Sequence, residues 1–446
     1  MPAIAPFCGI RYPVRGPALS ALLSPPYDVI GPAEQAALMA QDPHNAVHLV
    51  LDPQRPGDGP GDNRYLRAAH RFAAWLGDGT LRRDPRPALY PLEQVFVAPD
   101  GRQHVRRGFV AAVRLHDFRE GVVLPHEGTL AAPKADRLEL LKTVRANLSP
   151  VFGLYQDEHN RAQVALAAAL SSEPASEADT ADGVHHRLWR VDEPAVLAAV
   201  QRVLSDRRIL IADGHHRYAA SLGYRDLVDA AAPGLPPDAG HRWALMFLCS
   251  TSDPGLVIFP THRAVSGLRD FRVAHLAARL DRLFRVETIA EDVRWTSGRA
   301  WAISRLAEHL DRSTAFLMVT AEDRKARLLT LRDDADLSSL PLPRNESLRA
   351  LDVTVLHAAV MQGALGLSPA SQERQENLTY LRDAGEAVGR TLAGEFQAAF
   401  LLNPTPLWQV EAVAESGEVM PQKSTWFHPK VPAGLVFREV DPRGGP

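Results

Sequence analysis

A mixed α/β fold is predicted by three observations. Short apolar runs of strand length alternate with longer stretches of helical periodicity along the whole chain. Clusters of Pro, Gly, Asp and Asn separate them, one of them forming a hairpin signal. Apolar residues make up 46% of the 446 and charged residues 23%, a balance that supports real cores. At roughly 100–200 residues per domain, two to four domains are expected. No internal repeat and no low-complexity tract is visible.

The first region, 1–115, opens with the Pro-rich turn SPPYDVIG and a helix near Pro32–Gln41. Residues 52–63 (DPQRPGDGPGDN) read as a surface loop, and 64–76 as an amphipathic helix. Strand-like runs at 88–97 and 105–113 flank Pro99-Asp100-Gly101, a hairpin signal. The second region, 116–265, holds the turn LPHEGT and the helix-like KADRLELLKTVRANL. It continues with a strand at Val151–Tyr155, a helix at Arg161–Leu170, an exposed loop at 171–182, a strand at 184–191 and a helix at Pro194–Leu204. A short buried strand is expected at 208–212, a helix from about His215, and another buried strand at 244–249. The third region, 266–446, predicts helices at 273–283, 299–310 and 351–365 and strands at Ala315–Thr320 and 327–331. A last strand–helix unit pairs 397–402 with Leu407–Glu415.

Composition excludes some classes. The net charge is −3 with both signs mixed throughout, which argues against a nucleic-acid-coating surface. The two cysteines, Cys8 and Cys249, have no metal-type spacing and suit a reducing cytoplasm. The N-terminus lacks a signal-peptide pattern. The longest apolar run is far short of the roughly 20 residues that span a bilayer, so no membrane association is expected. Oligomeric state is not legible.

RILIADGHHRYAASLGYRD is the most informative stretch. A buried strand runs into the tight turn Asp213-Gly214, and a helix follows. The first N–H groups of a helix lack internal partners and sit at the positive end of its dipole, which suits an anion such as phosphate. Gly214 lets the backbone approach closely. Arg217 can bridge two phosphate oxygens, with His215 and His216 as further donors. An Asp-capped helix with two solvated histidines is the plainer alternative for an isolated DG turn.

VVLPHEGTLAAPKADR gathers His126, Glu127, Thr129, Lys134, Asp136 and Arg137 within twelve residues. Pro125 and Gly128 mark a turn. A loop carboxylate near a phosphate can act as general base toward a hydroxyl, and Lys134 and Arg137 can supply positive charge. A charged loop capping the next helix is the alternative. Lys423-Ser424-Thr425 offers a lysine and two hydroxyls but lacks the glycines of a Walker loop, and reads as an anion contact or a packed C-terminal turn. Tyr27-Asp28 reaches the same cleft or forms a rigid helix entry. His262-Arg263, after the apolar strand LVIFP, reads as a solvated strand end, with a place at a cleft edge as the alternative, and His185-His186 as structural.

DGHHR on a strand–turn–helix, with an HE pair upstream, resembles the free serine kinases of the ParB/sulfiredoxin-like superfamily over the central third of the chain. The resemblance implies a ParB/sulfiredoxin-like nucleotide-binding core with flanking α/β regions. It makes Glu127 the base that activates the substrate hydroxyl, with His126 and Asp213 in the catalytic set. Gly214, His215, His216 and Arg217 take nucleotide phosphates. Thr129, Lys134, Arg137, Lys423, Ser424 and Thr425 are candidate substrate or phosphate contacts. ATP or ADP with Mg²⁺ is implied, the metal being held by the nucleotide and one or two carboxylates rather than by the protein alone. The spacing between Glu127 and Asp213 is longer than in the compact kinases. Sulfiredoxins need a Cys where His215 stands, and the charge balance does not suit a ParB DNA-binding surface.

The whole chain is also identified as resembling a bacterial family, domain of unknown function 1015, through SPPYDVI (24–30), PHEGT (125–129), ANLSPVFGLY (146–155), IADGHHRY (211–218) and MPQKSTWFHPKVPAGLVF (420–437). The expected function is a small-molecule kinase acting on a hydroxyl such as that of free L-serine. A nucleotide-sensing binding protein without turnover and a phosphoester hydrolase are the alternatives.

Overall fold

The run WALMFLCS is apolar at nearly every position, so it has two faces to bury. In the computed structural model of the chain it becomes Trp243–Ser250, buried along its whole length. It lies antiparallel to Gln103–Arg114 on one side and parallel to Val151–Tyr155 on the other. The structure describes residues 1–98, 101–170, 173–291 and 296–446. They form two compact units. The first comprises Met1–Pro125, Thr129–Val257 and Pro429–Pro446, and the second His126–Gly128 and Ile258–His428.

The first unit is built on a mixed nine-stranded sheet. Its order runs Val123–Leu124, Ile209–Asp213, Val151–Tyr155, Trp243–Ser250, Gln103–Arg114, Tyr90–Val97, His185–Leu188, Ser176–Asp179. Ile4–Ala5 pairs beside Gln103–Arg114. The hairpin expected around Pro99-Asp100-Gly101 is present as Tyr90–Val97 against Gln103–Arg114. Pro99 and Asp100 themselves lie outside the described residues. Gly153 lets this sheet pack closely, since a Cβ there would sit 2.7 Å from Ile209 and 2.8 Å from Met246. Tyr155, Ile209, Ile211, Tyr218 and Met246 belong to one buried core.

The expected regions 1–115 and 116–265 thus share one sheet, because strands from both pair across it. The C-terminal segment joins the same unit through Arg438–Glu439, paired with Ala146–Asn147. The expected loop at 171–182 contains the strand Ser176–Asp179, paired with His185–Leu188. Its polar composition hides a strand at the end of the sheet; residues 171–172 lie outside the described residues.

The second unit has a six-stranded antiparallel sheet in the order Phe284–Ala290, Ala326–Leu331, Ala315–Thr320, Ala398–Leu402, His262–Val265, Leu378–Leu381. His262 and Arg263 are not a solvated strand end. They are 3% and 0% exposed, because their strand has a neighbour on both sides. The helix expected at 351–365 is an α-helical turn, Asp352–Val355, that continues as a π-helix, Leu356–Ala364. Wide helical turns of this kind cluster at functional sites. No described helix is long and apolar enough to cross a membrane.

Candidate functional site

In the first unit, Ile209–Asp213 runs out of the sheet and the helix His215–Ala231 begins one residue later. Gly214 makes the junction with φ +91, a left-handed conformation that a side chain would strain. Gly214, the N-cap residue, has no side chain with which to cap this helix.

Asp213 is held from two sides. Its Oδ1 accepts from Lys430 Nζ at 2.6 Å and its Oδ2 from Arg217 Nη2 at 2.5 Å. Burial raises this carboxyl, but the charges of Lys430 and Arg217 outweigh it and hold it well below the usual carboxylate range. Arg217 also donates to the Pro150 carbonyl, and its Nε is buried without a partner. The sequence gives Arg217 to phosphate; here two of its nitrogens serve Asp213 and Pro150, and it folds over the turn, 3.0 Å from where a Gly214 Cβ would stand.

His216 Nε2 accepts the Leu130 N–H at 3.0 Å. Burial first, then the charge of Arg217, lowers its pKa against the opposing pull of Asp28. A neutral ring that accepts at Nε2 carries its proton on Nδ1, leaving a donor there. His215 is buried.

Tyr27 and Arg137 belong to this neighbourhood. The Arg137 guanidinium stacks on Tyr27, 3.9 Å from the ring centre, donates to Val50 O at 2.7 Å and to Asp136 at 2.8 Å. Asp136 also receives Arg64 and Tyr65. Arg137 and Arg217 line a small cavity of about 50 Å³ with Ser149 and Ser221. Thr129 and Lys134 are exposed.

Lys430 is a residue that motif reading passed over, although it lies inside the recognised segment FHPKVP. Its backbone is clamped from beneath. Arg106 donates to Pro429 O, and Gln94 donates to Lys430 O at 3.2 Å. Arg106 is fully buried, over Phe152 at 4.5 Å and Phe247 at 5.2 Å, and its Nε donates to Gln94 at 3.1 Å.

In the second unit, the HE pair meets the C-terminal motif. Met420 N–H donates to His126 O at 2.8 Å, and Glu127 forms a parallel bridge with Met420. His126 is fully buried, with Nε2 2.9 Å from Thr425 Oγ1 and its ring edge-on to Phe427. The Glu127 side chain is 23% exposed, 3.9 Å from His126 Nε2. Ser424 bonds to Pro421 O, making this part of the motif a packed turn as well.

Arg263 underlies the same segment, donating to Thr261 O, to Lys423 O at 3.2 Å and to His357 Nε2 at 3.3 Å. Burial draws its pKa down to about 10, against the charges of Tyr380 and Glu127. Arg263 and Lys423 both lie over the Tyr380 ring, at 5.1 and 5.4 Å. His357, on the π-helix, is held neutral to about pH 4 by burial and by Arg263. Among the described residues no group of three or more His, Cys, Asp or Glu is placed to hold a metal.

The fold and these two clusters define a mixed α/β protein with a cation-rich strand–turn–helix and a buried HE motif. The chain belongs to the family described as protein of unknown function (DUF1015), which matches residues 4–354. No curated protein matches the chain. Among solved structures it is similar to a conserved hypothetical protein from Pyrococcus furiosus, at 15% identity and TM-score 0.34, covering 72% of this chain and 93% of that one. It is similar also to a free serine kinase in complex with AMP, at 14% identity and TM-score 0.34, covering 72% and 89%. A third likeness is to SbnI with a C-terminal truncation from Staphylococcus aureus, at 10% identity and TM-score 0.33, covering 72% and 87%.

Proposed function

We propose that the chain is a small-molecule kinase that transfers a phosphoryl group from ATP or ADP to a hydroxyl, with free L-serine as the first acceptor to test. The observation that carries this reading is the turn. Gly214 adopts a left-handed backbone at the start of the helix, and the adjacent carboxylate, Asp213, is tied to two cations. Two cations, Lys430 and Arg217, thus stand beside the turn where the helix dipole favours an anion. In this reading Gly214, His215, His216 and Arg217 hold the nucleotide phosphates, and Asp213 fixes the turn.

Glu127 takes the base's role, with His126 fixing its loop. The acceptor oxygen attacks the terminal phosphorus, the bond to the bridging oxygen breaks, and Glu127 takes the hydroxyl proton. Mg²⁺ would arrive with the nucleotide, bound by phosphate oxygens and water with at most one or two carboxylates.

The test is turnover of ATP and ADP with Mg²⁺ and a panel of hydroxy amino acids, followed by ³¹P NMR. A phosphorylated acceptor supports the reading, and no turnover with any pair overturns it. One observation favours the sensor as second reading: the turn and both of its cations lie within the first unit, so binding needs none of residues 126–128. Tight nucleotide binding without product would decide for the sensor. Phosphate release without an acceptor would decide for a hydrolase.

A further inference from the structure

We infer that Arg263 is a positioning residue for the proposed base: it holds the Lys423–Thr425 turn that packs against the His126–Glu127 pair, and His357 of the π-helix fixes its guanidinium. This rests on Glu127 taking the hydroxyl proton in the reading above, and it adds two residues that none of the recognised segments contains.

Arg263 is fully buried, on a strand with a neighbour on either side. Its nitrogens donate to Thr261 O, to Lys423 O and to His357 Nε2, and its guanidinium lies over the Tyr380 ring. None of these partners is a carboxylate, and among the described residues no ion pair offsets the cost of burying this charge. Of the side chains whose charge acts on it, Tyr380 first and then Glu127, only Glu127 is a carboxylate. An apolar side chain in place of a buried ion is often neutral or stabilising, so packing alone does not account for an arginine here. What the arginine does that an apolar residue cannot is gather two carbonyls and an imidazole around one rigid fork.

The fork is held by a chain of hydrogen bonds that runs one way. Guanidinium nitrogens only donate, so His357 Nε2 accepts and Nδ1 carries the proton. Nδ1 donates to Gln372 Oε1 at 2.5 Å, and Gln372 Nε2 donates to Leu367 O at 2.8 Å. Turning the guanidinium would leave a buried group in this chain unsatisfied. His357 is carried by Leu356–Ala364, the wide helical turns that cluster at functional sites. On the other side of the fork, Lys423 has φ +55, a left-handed backbone that its side chain strains, and the Arg263 bond to its carbonyl helps to hold it there. Two residues on, Thr425 Oγ1 meets His126 Nε2, and Glu127 follows His126 in the chain. All of these residues belong to the second unit.

The test is steady-state kinetics on the full chain with ATP or ADP, Mg²⁺ and L-serine, beside ADP calorimetry, for the wild type, His357→Leu and His357→Gln. The amide oxygen of Gln can accept where Nε2 does, and Leu offers no acceptor. Misplacing the base by a fraction of an ångström predicts a kcat about 10- to 100-fold lower in His357→Leu, largely restored in His357→Gln. ADP affinity should stay unchanged in both, because the turn assigned to the nucleotide lies in the first unit. If His357→Leu does not fold, Arg263→Lys takes its place: it keeps the charge, loses the planar fork, and should show the same fall in kcat at constant ADP affinity. Wild-type kcat in His357→Leu, an equal loss in His357→Gln, or a parallel loss of kcat and ADP affinity overturns this inference alone. A wild type without turnover on any acceptor of the panel overturns the underlying reading with it.

Discussion

Replacing Asp213 with Asn should destabilise the first unit by about 3–5 kcal/mol, the usual loss when one partner of a buried ion pair is removed. Asn keeps the shape of the side chain and removes its charge. Lys430 and Arg217, 2.6 and 2.5 Å from the carboxylate, would then both lose its negative charge. A surface pair would be worth only about 0–1 kcal/mol, but all three side chains here are 13% exposed or less. The depressed pKa of Asp213 shows that pairing outweighs the desolvation that opposes it. Because the folded pKa lies below the unfolded one, this stability is present above about pH 4 and is lost as the pH falls further. The gap between wild type and Asp213→Asn should therefore be constant from pH 5 to pH 8. The assay is urea denaturation followed by circular dichroism, with a double-mutant cycle against Lys430→Met. The two changes should couple by about 1–3 kcal/mol, since removing Lys430 relieves part of the repulsion. A loss below about 1 kcal/mol, or strict additivity, would show that the trio is a surface arrangement and would refute the reasoning.

Three further outcomes are expected. Gly214→Ala should cost about 1–2 kcal/mol, because the φ of +91 is strained for any side chain, and it should weaken ADP binding; an unchanged melting temperature with unchanged calorimetric affinity would contradict this. Glu127→Gln should lower turnover by about 10²–10⁴-fold and leave ADP affinity intact, and full activity in this variant would remove Glu127 from the mechanism. Asp352 is held up at about 6, by burial first and then by Asp311, against the Thr314 hydrogen bond. Its folded pKa exceeds the unfolded value of about 3.9, so its ionisation costs the folded state about 1–3 kcal/mol above pH 6, and that cost fades as the pH falls toward 4. Asp352→Asn should accordingly stabilise the protein at pH 7.5 more than at pH 4.5 in parallel denaturation curves, and an equal effect at both would show the carboxyl to be solvated.

The elements were legible wherever a segment's own apolar pattern reports its burial. Trp243–Ser250, Val151–Tyr155 and Ile209–Asp213 follow from continuous apolar runs, and Pro32–Gln41 and Pro194–Leu204 from helical spacing after a Pro start. Periodicity carries no information on which strands become neighbours. His262 and Arg263 therefore read as exposed, although a strand on either side buries them. Ser176–Asp179 was missed for the opposite reason, since its polar sequence does not reveal a strand at the end of a sheet.

The site was legible as motifs but not as partnerships. Arg217 looks like a free phosphate clamp until Pro150 O and Asp213 are found on it. Lys430 stands 217 residues from the carboxylate that it pairs with. Two of the recognised segments, PHEGT and MPQKSTWFHPKVPAGLVF, contain points where the chain passes from one compact unit to the other, at Pro125–His126, Gly128–Thr129 and His428–Pro429. At such points the backbone serves neither core alone, so apolar spacing gives no guide and residue identity carries the information. His126 is buried on Thr425 and Phe427, and Lys430 follows them by only a few positions in the same segment. One short stretch of chain thus supplies partners to both the HE motif and the DGHHR turn. A change at 425–430 should therefore disturb both, which a set of independent surface loops would not do.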